Sequence, residues 1–157
     1  MRDPTPEIRD LARRLLAQEV GARPGPLAWA EAAERACEKL RQRIALLVGP
    51  AGFHALLARA LQLAGAEFPF LQGVRAELGA VGAQHAAPLL PLLPGLRDAV
   101  AGRDGAEAGA ALGAVLAHFI WLLVTFIGAD LGLRLVRDVW PEPLPGARGA
   151  GTEEAKQ

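Results

Sequence analysis

Residues 108–129 contain no Asp, Glu, Lys or Arg, and a helix of that length can cross about 30 Å of hydrocarbon. Such a segment has two physical fates: it spans a membrane, or it forms the centre of a soluble bundle. Gly109 with Gly113, and Gly128 with Gly132, repeat the small-residue spacing that lets membrane helices approach closely. Other features oppose a span. His118 falls near the middle of the run, where a polar ring is costly in lipid. The first third, AGAALGA, is weakly apolar. The flanks show no positive-inside bias, with Arg103, Asp104 and Glu107 before the run and Asp130, Arg134, Arg137 and Asp138 after it. The rest of the chain also supplies amphipathic helices that need an apolar partner. A core helix is therefore expected.

Those helices can be placed from pattern. Thr5 is positioned to cap a first helix, with Pro6 at its first position and Glu7 at the positive end of its dipole. Ile8, Leu11, Leu15 and Leu16 give it one apolar face, and Gly21 ends it. Trp29, Ala33, Ala36, Leu40, Ile44 and Leu47 recur at helical spacing and predict a second helix over about 27–48. GPAG at 49–52 stops it, and Phe53, Leu56, Leu57, Ala60, Leu61 and Ala64 predict a third over about 51–64. A shorter fourth helix is expected over about 67–79, interrupted by Pro69. The proline-rich stretch around 80–95 reads as loop, and LRDAVAG as one or two helical turns. A long helix is expected from about Ala106 to Val139, bent at Gly128 or Gly132. The fold class is all-α: a single bundle of five to six helices over 1–140, with the apolar C-terminal helix at its centre and a flexible proline- and glycine-rich tail over 141–157.

Composition narrows the function. Lys plus Arg equals Asp plus Glu, at 17 each in 157 residues. A general nucleic-acid binder needs a cationic surplus to neutralise phosphates, so nucleic acid is not expected as a partner. Cys37 is the single cysteine, which removes an intramolecular disulfide and any cysteine-based zinc site. It sits on the apolar side of the second helix, as an inert buried thiol would. The first ten residues carry charges and prolines where a secretory signal needs an apolar stretch, so the cytoplasm is expected. Richness in Ala, Leu, Gly and Arg suggests a bacterial source.

No catalytic set assembles. His54, His85 and His118 lie on separate segments, and the Glu-x-x-His pairs of di-iron bundles are missing. GPAGF at 49–53 lacks the Gly-Lys-Ser/Thr ending of a phosphate loop and follows no strand. A helix–turn–helix over 40–64 would offer DNA only His54, Arg59 and Gln62. No enzyme activity, cofactor or metal is expected.

Five residues stand out as candidates for interaction or for a pocket: His118, Trp121, Asp130, Arg134 and Trp140. His118 reads first as a core ring bonded to a neighbouring helix, and second as a ligand or proton site. Asp130, Arg134 and Asp138 stand four apart and predict a ladder of ion pairs along one helix. Trp140, just before the prolines, reads either as a partly exposed edge, where tryptophan often anchors an interface, or equally as a docked terminus. The expected function is a non-catalytic helical module that binds a partner protein or a second copy of itself. Two other readings follow from the same residues: a bundle that senses a small molecule near His118 and Trp121, and a membrane-associated protein that inserts 108–129.

Overall fold

Two glycines set the topology. Gly49 (φ 85°, ψ 161°) and Gly128 (φ 97°, ψ 152°) occupy a backbone region that a side chain makes prohibitively strained, and each lets a helix reverse. The computed structural model describes residues 3–21, 25–76 and 93–140. It contains α1 (Pro6–Val20), α2 (Pro26–Glu67), a 3-10 turn (Pro69–Gly73), α3 (Leu96–Val100), α4 (Gly105–Ile127) and α5 (Ala129–Val139). No strand occurs among the described residues, and the expected all-α bundle is what forms.

The sequence signals at helix starts act locally. Thr5 Oγ1 accepts the Ile8 N–H at 3.2 Å, so α1 begins at its cap, and Ala12, Leu15 and Leu16 turn inward. Asp104 caps α4 in the same way, accepting the Glu107 N–H at 2.7 Å. The expected second and third helices are the two arms of α2, which folds at Gly49 with Pro50 opening the second arm.

Two expectations change. The fourth helix over 67–79 does not form among its described residues. Pro69 holds Phe68 out of helical geometry (φ −130°, ψ 88°), and the chain makes only the 3-10 turn before Val74 becomes extended. The long helix over 106–139 is two helices, because at Gly128 the backbone reverses where a bend was expected. The tail over 141–157 and most of the loop around 80–95 lie outside the described residues.

Every residue of α4 from Ala111 to Ile120 is buried, and α4 packs against α1, α2 and α5. Burying side chains such as Leu112, Phe119 and Ile120 contributes roughly 1.5–3 kcal/mol each. A Cβ built on Gly105 would lie 3.6 Å from Gly25 Cα, and one on Gly109 would lie 2.9 Å from the Trp29 ring. Further along, Cys37 and Leu40 share one interior space with Leu112 and Leu116. The first arm of α2 therefore runs parallel to α4 and nearly in register, and the hinges at Gly49 and Gly128 fall at the same end of the bundle. The small residues of α4 and α5 serve packing inside the chain: Gly109 admits the Trp29 ring, and Gly132 lets α5 lie against Val124, with 3.1 Å to a built Cβ.

Candidate functional site

The five candidate residues do not converge on one place. His118 is buried at 1% exposure, and its Nε2 donates to Glu67 Oε2 at 2.8 Å. Glu67, at the end of α2, also accepts from both terminal nitrogens of Arg9 on α1, at 3.0 and 3.3 Å. Burial raises the Glu67 pKa, but the Arg9 and His118 hydrogen bonds and the Arg9 charge outweigh it and leave the carboxyl below its ordinary range. Nδ1 of His118 has no hydrogen-bond partner among the described residues. The chain Arg9–Glu67–His118 thus fastens α1 and α2 to the core helix.

Trp140 is buried, as the docked-terminus reading has it and not as a partly exposed edge. Its indole Nε1 donates to Glu19 Oε2 at 2.9 Å, and this bond turns the ring inward against α1. The same Glu19 carboxylate takes Lys39 and Arg35 from α2. Burial raises the Glu19 pKa, and the Lys39 and Trp140 hydrogen bonds, with the charge of Lys39 and the bond from Arg35, bring it below the ordinary value. This cluster is a structural clasp.

The expected ladder on α5 is replaced by a different pairing. Asp138 lies 3.8 Å from Arg43 of α2, across the helix interface. Asp130 and Arg134 are exposed and join no ion pair among the described residues. Trp121 is half-buried, and its carbonyl accepts from Thr125 Oγ1 at 2.8 Å within α4. Cys37 is buried, and burial first, then the charges of Glu34 and Glu38, push its thiol up to about 12, which makes it unreactive at neutral pH.

Sequence reasoning missed the feature at the hinge end. Leu46 is 85% exposed and Phe126 69%, and Leu47 and Leu131 are also uncovered. No Asp, Glu, Lys or Arg occurs between Arg43 and Arg59, or between Glu107 and Asp130. Both hinge segments are therefore charge-free as well as apolar. Each tip precedes its glycine by two or three residues, and this pairing of an uncharged run with a glycine stop was the signal available in the sequence.

A wider cleft of about 710 Å³ runs along the second arm of α2, beside the 3-10 turn. There His54 Nε2 donates to the Ala76 carbonyl at 2.9 Å, and Ala76 is the last residue described on that side. Among the described residues no three of His, Cys, Asp and Glu are grouped as metal ligands.

No protein family, curated protein or solved structure matches the chain.

Proposed function

We propose that this chain is a non-catalytic helical interaction module of the bacterial cytoplasm, docking a partner protein through the apolar end where its two hinges meet. One contrast carries the reading. Two helices are long and apolar enough to cross a membrane, and their most apolar stretches are covered very differently. In α4 that stretch is 61% buried, whereas in α2 it is 28% buried. The α4 run is thus mostly covered by the core, and what is left uncovered is its end at Phe126 together with Leu46 and Leu47 before the Gly49 hinge of α2.

The exposed side chains Leu46, Leu47 and Phe126 lie within charge-free segments, which suits an apolar groove on another protein. The charges near the rim are of both signs, with Arg43 set against Asp138 and Arg134 one turn from Asp130. A surface built for anionic lipid carries a Lys/Arg excess, which this rim lacks. A lipid surface is the second reading, favoured by the length and hydropathy of α4 and by the exposed Leu46, Leu47 and Phe126.

Photo-crosslinkers at Leu46 and at Phe126, with a control at exposed Glu7 on α1, test this in cells of the source organism. The expected result is one discrete protein adduct from both hinge positions and none from position 7. Adducts to lipid would replace the proposal with the membrane reading, and adducts to the chain itself would make the partner a second copy. No adduct at either hinge position would end the docking proposal.

A further inference from the structure

A second surface of the molecule has the makings of a ligand site. Where α1 crosses α4, the core helix presents only Ala110, Gly113 and Ala114, and these small residues leave a cavity of about 160 Å³. Arg9 and Arg13, one helical turn apart on α1, line it from one side, and Glu67 and Phe68 close it at the end of α2. The charges in this cavity are not equivalent. Arg9 is engaged by both oxygens of Glu67, and Glu67 is held from behind by His118. Arg13 joins no ion pair among the described residues, and its stem lies against α4, with Cγ 3.7 Å from a Cβ built on Gly113. The fixed Glu67 therefore neutralises Arg9, and the guanidinium of Arg13 remains at the rim of a recess lined by both polar and apolar groups.

We propose that this cavity binds a small monocarboxylate. The planar fork of Arg13 pairs with the carboxylate, as guanidinium groups do with two parallel N–H···O bonds. The apolar part of the ligand lies against Phe68, Ala110 and Ala114. Size and charge set the class. Pockets for drug-sized ligands run to about 300–1,000 Å³, so this one takes a body no larger than a single ring or a short chain. With two cations and one carboxylate in the lining, the surplus is a single positive charge, which matches a monoanion rather than a phosphate dianion.

Isothermal titration of the full chain with benzoate, and with benzyl alcohol as its uncharged counterpart, tests the proposal. Benzoate is expected to bind at one site with a dissociation constant on the order of 1 mM, the range open to a ligand of this size. Benzyl alcohol should bind at least about tenfold more weakly. Arg13→Gln should lose the preference for the charged ligand. Arg14→Gln, which alters an exposed residue already paired with Asp10, should keep it. Gly113→Leu should fill the cavity and abolish binding, with circular dichroism confirming that each variant is folded. Equal binding of the two ligands, unchanged benzoate affinity in Arg13→Gln, or no saturable heat from benzoate would each overturn the proposal.

Discussion

The indole of Trp140 donates to the carboxylate of Glu19 across 121 positions of sequence, so the last turn of α5 is fastened to the last turn of α1. Lys39 and Arg35 reach the same carboxylate from α2, and the Glu19 side chain is left only 8% exposed. Three helices are thus locked at one point. The hinge end lies away from this lock, and there apolar side chains stand uncovered. The lock is built from paired charges, whereas Leu46, Leu47 and Phe126 at the hinge end are uncovered in charge-free segments.

Trp140 should therefore matter more to stability than its terminal position suggests. Trp140→Ala removes a buried ring and is expected to cost about 3–5 kcal/mol. Trp140→Phe keeps most of the packing and loses the donor, for about 1 kcal/mol. Urea midpoints of the two variants check the order. Equal midpoints would mean that α5 is not held through this contact.

Acid should weaken the fold through Glu19 and Glu67. Both carboxyls lie below the ordinary value of 4.5 in the folded chain, so each contributes stability that is fully present above that value. The contribution is lost as pH falls through the lower folded values, since the unfolded chain binds the proton first. Urea midpoints from pH 7 down to about pH 3 should decline chiefly below 4.5. Glu19→Gln should flatten that limb while lowering the midpoint at neutral pH.

Substituting Gly109 and Gly113 in α4 should have effects of opposite sign. Alanine favours a helix interior over glycine by about 1 kcal/mol. At Gly113 an added Cβ meets only Arg13 Cγ at 3.7 Å, so Gly113→Ala should stabilise by roughly 0.5–1 kcal/mol. At Gly109 the Cβ would lie 2.9 Å from the Trp29 ring, and overpacking of this kind costs about 1–3 kcal/mol. Gly109→Ala should thus be destabilising overall. Thermal midpoints of the two variants, compared side by side, decide it.

The helical pattern and the caps were legible in the sequence because both are local. Thr5 with Pro6, and the apolar stripe from Trp29 to Leu47, sit within one or two turns of what they specify. The burial of α4 from Ala111 to Ile120 followed from the number of amphipathic helices that needed covering, and the exposure of its end at Phe126 did not. The reversal at Gly128 was visible only as a possible bend, since a glycine in a helical pattern reads alike whether the backbone stays helical or takes φ 97°. The burial of His118 and its bond to a neighbouring helix could be read, but the partners in the polar clusters could not. Glu67 meets Arg9 and His118 across 58 and 51 positions, and Asp138 meets Arg43 in place of Arg134, one turn away. Which of several carboxylates a distant cation reaches is set by packing, and a charge pattern along one helix does not contain it.

His118 offers the sharpest test of what a polar group does inside this core. One ring nitrogen serves Glu67, and the other is buried with no hydrogen-bond partner among the described residues. Glu67 keeps Arg9 if the ring is removed, and about a third of its side chain faces solvent, so losing His118 does not strand a buried charge. His118→Leu exchanges a half-satisfied polar ring for an apolar side chain at a site 1% exposed. The change should be neutral or stabilising, within about 1 kcal/mol. His118→Asp places an unpaired carboxylate in the same position, beside Glu67, and should cost 3 kcal/mol or more, about the value for an uncompensated buried charge. Denaturation midpoints at pH 7 separate the cases. If His118→Leu destabilises as strongly as His118→Asp, the ring makes a contribution beyond its bond to Glu67, and its unpartnered nitrogen is where that contribution should be sought.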